Sequence, residues 1–153
     1  MVPVDLVADT RHMGRPRVLL AEDHPGVAEE LRKLLEAEFD VVGVVADGNA
    51  LLREAEVAHP DVVVTDIVMP GRDGIAATGA LLARHPGTRV VLVTVHDDPD
   101  LAERGYAAGA LAYVLKVAAA RDLVPAVRTV MRGERFLSTS APERPKTPRA
   151  GNA

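Results

Sequence analysis

Five short aliphatic runs, starting 20 to 28 residues apart, constrain the fold of this 153-residue chain more than any other feature. They read RVLLA (17–21), VVGVVA (41–46), DVVVTD (61–66), RVVLVT (89–94) and LAYVL (111–115). None alternates apolar with polar residues, as a strand with one wet face would. A strand apolar on both faces is covered on both, as in a parallel sheet between two helical layers. Stretches with helical periodicity lie between the runs and after the last one. The pattern predicts a three-layer α/β domain of five parallel strands and five helices, joined by right-handed crossovers.

The helix signals are local. Pro25 suits the first position of a helix, where no N–H is needed. Val27, Leu31, Leu34, Leu35 and Phe39 then form an apolar face opposite Glu29, Glu30, Arg32 and Lys33. Asn49 is the expected cap of the second helix, with Asp47-Gly48 before it read as a plain turn. Asp73-Gly74 opens the third, with Ile75, Thr78, Leu81 and Leu82 inward. Asp98-Pro99 opens the fourth, which has Gly105 and Gly109 and few large apolar side chains. The fifth carries Leu123, Val127, Val130 and Met131 and stops at Gly133. Pro125 lies among these residues. Proline is tolerated in the first turn, where amides lack partners anyway. Asp122 is therefore the expected cap, with Pro125 at the third position; a kink is the alternative.

Residues 1–16, with Pro3, Gly14 and Pro16, read as a flexible N-terminal extension. Residues 138–153, STSAPERPKTPRAGNA, read as a linker-like disordered tail. The domain is thus expected over 17–137. Aromatics are only 3% of the chain, so its core must be aliphatic. There is no cysteine, which excludes a disulfide framework and thiolate chemistry. No apolar run approaches the roughly 20 residues of a membrane span. The first residues lack the basic start and apolar stretch of a secretion signal. A cytoplasmic location without membrane contact is expected. The net charge of −4 supplies no broad basic field. That argues against direct DNA binding by this chain alone.

In a parallel sheet the strand C-termini share one edge, and ligand chemistry in open α/β sheets gathers there. Glu22, Asp23 and His24 follow the first run, and Asp66 closes the third. Thr94 closes the fourth, ahead of His96, Asp97 and Asp98, and Lys116 follows the fifth. Taken singly, most have a plain explanation. An acid before Pro25 caps a helix, Thr94 is a β-branched strand residue, Asp66 accepts from backbone amides, and His24 and His96 are exposed loop residues. Lys116 resists that treatment: it is one of three lysines against fifteen arginines, yet it stands at a buried strand end. Clustered carboxylates raise one another's pKa and need a cation. Hard oxygen ligands suit Mg²⁺, and a lysine is a compact charge. Together the set fits phosphoryl transfer to a carboxylate. Asp66 would attack phosphorus and become an acyl phosphate. The cation and Lys116 would stabilise the phosphoryl oxygens, one of which Thr94 would bond.

The segments LLAEDHPGV, PDVVVTDIVMPGRDGIAAT, VVLVTVHDD and AGALAYVLK, in that order, resemble the response-regulator receiver domains of two-component signalling. The resemblance covers residues 17 to about 137. VTVHDD and the His-Pro after the acidic pair look most like the LuxR-type helix-turn-helix (NarL/FixJ-like) subfamily, with the DNA-binding domain absent. The resemblance implies a flavodoxin-like doubly wound sheet of strand order 2-1-3-4-5. It implies that Asp66 accepts phosphate from a sensor histidine kinase. It implies Mg²⁺ bound by Glu22, Asp23, Asp66 and the backbone carbonyl of Val68. Lys116 would pair with the phosphoryl group. Thr94 and Tyr113 would be the switch pair, Tyr113 turning inward as Thr94 moves; the alternative for Tyr113 is a half-exposed strand aromatic. Departures from the family are Glu22 where aspartate is frequent, Val117 where an acid commonly follows the lysine, and Ala119 at the usual cap of the fifth helix.

Three readings follow. The first is a phospho-accepting switch that catalyses its own aspartyl phosphorylation and dephosphorylation, with a possible homodimer through the first and fifth helices or through the fourth and fifth helices with the last strand. The second is the truncated receiver of a LuxR-type transcription regulator. The third is a receiver-like interaction module independent of phosphorylation.

Overall fold

The computed structural model describes residues 14–138. The expected extension and tail fall mainly on 1–13 and 139–153, outside the described residues. The described ends both touch the domain. The Arg15 guanidinium donates to the carbonyls of Glu36 and Phe39 at 2.7 and 2.6 Å. Ser138 is 4% exposed.

The strands are β1 (Arg17–Ala21), β2 (Asp40–Val45), β3 (Val62–Asp66), β4 (Arg89–Thr94), β5 (Ala112–Leu115) and β6 (Phe136–Leu137). The helices are α1 (Pro25–Glu36), α2 (Gly48–Ala58), α3 (Gly74–Arg84), α4 (Pro99–Ala108) and α5 (Ala119–Met131). All sheet pairings are parallel and the order is β2-β1-β3-β4-β5-β6. The five expected strands lie in the expected order. The two-residue β6 is an addition that no aliphatic run announced. It exists because Phe136 N donates to Leu111 O and Ser138 N to Tyr113 O, which covers the open edge of β5.

The central strands alternate between two cores, as a period of two requires. Val18, Leu20, Val62, Val64, Val91, Val93 and Val114 pack with α1 and α5 through Leu31, Leu35, Leu123, Val127 and Val130. Leu19, Val63, Leu92, Tyr113 and Leu115 pack on the other face with Leu51, Ala55, Leu81 and Ala102 of α2, α3 and α4. Burying one such Val or Leu side chain contributes about 1.5–3 kcal/mol, so the sheet is stabilised from both faces.

Asp73 and Asp98 cap α3 and α4 as expected, accepting from Ala76 N and from Asp100 and Leu101 N. His24, exposed in the loop as expected, also caps α1 by accepting from Val27 N. Two expectations change. Asp47 rather than Asn49 caps α2, its carboxylate 2.7 Å from Ala50 N. Asp122 is not the cap of α5. A 3-10 turn over Lys116–Ala118 leads into the helix, which starts at Ala119 and leaves Pro125 well inside. Asp122 is buried within it, receiving Arg121 Nε and Nη2 at 2.7 and 2.8 Å and the Ser138 hydroxyl at 2.5 Å. That network holds the helix where a cap at Asp122 would have begun it.

Candidate active site

Two strand ends deliver the three acids of this edge. Ala21 ends β1 and the chain passes directly to Glu22 and Asp23; Asp66 ends β3, next to β1 in the sheet. Carboxylate oxygens of Glu22, Asp23 and Asp66 lie within 4.8 Å of one another. Glu22 and Asp66 are 3% and 7% exposed, while Asp23 is open to solvent. Two buried carboxylates at this range repel unless a cation stands between them.

Lys116 is that cation. It follows β5, two strands away from β3, and its stem crosses β4 to reach the acids. Its Nζ lies 2.7 Å from Glu22 Oε1 and donates to Asp66 Oδ2 at 2.9 Å. Burial alone would push the ammonium down, but Glu22 and Asp66 outweigh it and hold Lys116 above its ordinary value. The approach to Glu22 Oε1 is close but lacks hydrogen-bond alignment, so this buried oxygen is ion-paired without a directed donor. Glu22 Oε2 accepts from His24 N at 3.1 Å, and Asp66 Oδ1 accepts from Val68 N at 3.4 Å.

The donor set fits a hard divalent cation. It offers three carboxylates, one of them exposed, and an oxygen whose lone pairs are not aimed at any N–H. Such sites suit Mg²⁺, which binds a few carboxylates and keeps several waters. A cleft of about 360 Å³ opens beside Glu22 and Asp23, lined also by Pro25, Ala28, Val44 and Val45, so the acidic edge is reachable. Val68 is 61% exposed on the loop after Asp66.

Thr94, next to Val93, the register partner of Asp66, shares His96 with Tyr113. Thr94 is fully buried and its Oγ1 accepts from His96 N at 3.2 Å. The Tyr113 hydroxyl donates to His96 O. Tyr113 is 2% exposed, which removes the half-exposed alternative, and burial pushes its hydroxyl pKa up. Its side chain lies inward, held by the His96 carbonyl. Sequence reasoning missed His96 because its backbone, not its imidazole, links Thr94 to Tyr113. No side-chain pattern announces that.

Residues 18–128 match the family model described as the response regulator receiver domain. The response regulator GacA of Pseudomonas viridiflava is 39% identical over 125 residues, covering 80% of this chain and 58% of that protein. A two-component response regulator of the LuxR family from Aurantimonas sp. SI85-9A1 superposes with a TM-score of 0.77 at 33% identity, over 80% of this chain and 89% of that one. The non-phosphorylated receiver domain of the stress response regulator RcsB from Escherichia coli gives 0.75 at 29% identity, over 80% and 98%. The chain spans somewhat over half the length of the curated relatives it matches.

Proposed function

The chain belongs to the response regulator receiver domain family of two-component signalling, and from that premise we propose that Asp66 is its phosphoacceptor. The donor is a phosphohistidine on a sensor histidine kinase. One Asp66 carboxylate oxygen forms the O–P bond as the P–N bond to the donor imidazole breaks, leaving an acyl phosphate. The observation that carries this reading is Lys116 Nζ, set between Glu22 and Asp66 beside a third carboxylate. An ammonium already held there is preorganised for the charge on a phosphoryl oxygen.

Mg²⁺, held by Glu22, Asp23, Asp66 and the Val68 carbonyl, would supply charge neutralisation for the transferring group. The remaining work belongs to the chain. Glu22 keeps Lys116 in place, and the Val68 amide steadies one Asp66 oxygen. After transfer, the Thr94 hydroxyl leaves His96 N for a phosphoryl oxygen. The loop after β4 then rearranges while Tyr113 keeps hold of the His96 carbonyl. Dephosphorylation is attack of water on the same phosphorus. On this reading the domain works in the cytoplasm, where the kinase would phosphorylate Asp66; among the described residues no helix is long and apolar enough to cross a membrane.

Intact mass after incubation with a small phosphodonor and Mg²⁺ tests the proposal. One phosphoryl adduct is expected in the wild type and none in Asp66→Asn. An adduct surviving that substitution, or none with either the small donor or a cognate kinase, overturns it. A second reading has its own support: matched relatives include regulators named as transcriptional, of which this chain spans somewhat over half. On that reading the phosphorylated domain controls a helix-turn-helix output. The coding sequence beyond codon 153 decides it.

A further inference from the structure

The loop from Ile67 to Asp73 carries Val68, yet no side chain of the acidic site holds its far end. The glycines show what does. A Cβ on Gly74 would lie 2.0 Å from the carbonyl oxygen of Asp66, and Gly74 N donates to Ile67 O at 2.7 Å, so the loop closes on its own base. A Cβ on Gly48 would lie 2.0 Å from the carbonyl oxygen of Arg72 and 2.9 Å from its Cβ. Gly48 is buried at the first position of α2. Its side-chain-free face is therefore where the loop backbone rests. Beside it, Arg72 Nε donates to Asn49 Oδ1 at 3.2 Å, and a Cβ on Gly71 would come 3.2 Å from Asn49 Nδ2. Asp47 fixes that turn of α2 by capping it.

We propose that Gly48 and Asn49 are positioning residues for the cation site: the N-terminus of α2 is the seat that fixes the 67–73 loop and, through it, the Val68 carbonyl. This rests on the receiver reading, and it assigns a role in metal affinity to residues that touch neither the acids nor the phosphoryl group. Any side chain at position 48 has to displace the Arg72 carbonyl, and a backbone atom moves only with its loop, unlike a flexible side-chain tip. The displacement passes along the few residues separating Arg72 from Val68.

Calorimetric Mg²⁺ titration of four variants beside the wild type tests the inference, with melting temperature taken in metal-free buffer. Gly48→Ala is expected to bind Mg²⁺ about tenfold or more weakly, the size of effect typical when a ligand's support is removed. Asn49→Ala/Arg72→Ala, which only deletes an exposed tie, is expected to weaken binding about threefold at unchanged melting temperature, a partial loss of the same support. Gly79→Ala, whose added Cβ meets nothing within 4 Å, is expected to bind as the wild type does. Asp23→Asn marks full loss of the site. If Gly48→Ala unfolds or melts lower, the double variant decides alone, and wild-type affinity there overturns the inference. Equal affinity in wild type, Gly48→Ala and the double variant likewise overturns it while leaving the receiver reading intact. A wild type that takes up neither Mg²⁺ nor a phosphoryl group sinks the receiver reading itself.

Discussion

Lys116 neutralises two buried acids across a strand, and that makes it both a site residue and a stabilising one. Its side chain is 16% exposed against 1% for Glu22 and 8% for Asp66. Taking away one partner of a buried pair leaves uncompensated charge and costs about 3–5 kcal/mol. Lys116→Met should lose stability toward the low end of that range, about 3 kcal/mol, since Asp23 and the site remain open to water. Millimolar Mg²⁺ should return more stability to the variant than it adds to the wild type; urea denaturation with and without Mg²⁺ measures both. The ammonium's value is raised in the fold, so its contribution is complete below the ordinary lysine range and fades only as pH rises through the folded value. Asp122 runs the other way. Arg121 first, against burial, and then the Ser138 hydroxyl hold it below the usual aspartate value. Its contribution is full above that range and is lost as pH falls through the folded value. Asp122→Asn should therefore cost about 1–3 kcal/mol at pH 7, and the difference from wild type should shrink below about pH 4. Denaturation midpoints over pH 3–7 check it. The site acids and Lys116 could be read in the sequence because charge at a buried strand end needs a reason. Ser138 could not, because its hydroxyl gains a partner only when the chain after α5 folds back.

Strands were legible and helix starts only partly so, for one physical reason. A strand covered on both faces must be apolar throughout, and β1 and β3 to β5 are almost completely buried. Asp-Pro before α4 leaves little choice of cap, whereas α2 offered Asp47 and Asn49 within three residues, and backbone geometry chose. Pro125 misled most. Local rules put it in a first turn, but the tertiary anchor of Asp122 and the buried Leu123, Ala126, Val127 and Val130 draw the helix back to Ala119. Proline there gives no N–H to the carbonyl of Arg121, four residues earlier, and crowds it. The interior penalty for proline is about 3 kcal/mol relative to alanine. Pro125→Ala should thus raise stability, by about 1–3 kcal/mol once relaxation of the helix around the ring is allowed for. Thermal melting of the variant gives the answer; an unchanged or lower melting temperature would mean that the helix is already shaped to the ring.

The two cores cover both faces of the sheet, and function is proposed to act along its C-terminal edge. Tyr113 connects that edge to β6, the last strand among the described residues. Its hydroxyl grips the His96 carbonyl in the loop after β4, while its backbone carbonyl receives Ser138 N just after β6. Movement of the 94–98 loop therefore has a covalent and hydrogen-bonded route to residues 136–138 through Tyr113, one side chain of the second core. Beryllofluoride with Mg²⁺ imitates the acyl phosphate, and amide hydrogen exchange reads the bonds involved. The His96 amide, bonded to Thr94 Oγ1, should exchange faster when that hydroxyl turns to the phosphoryl mimic. The Ser138 amide should change with it, and both effects should vanish in Asp66→Asn. Tyr113→Phe separates the links: it removes the hydroxyl grip but keeps the backbone bond. In that variant His96 should still respond while Ser138 no longer does. Should Ser138 respond undiminished without the hydroxyl, the signal must travel through strand β5 itself. A Ser138 amide that never responds would confine the switch to the β4–α4 loop.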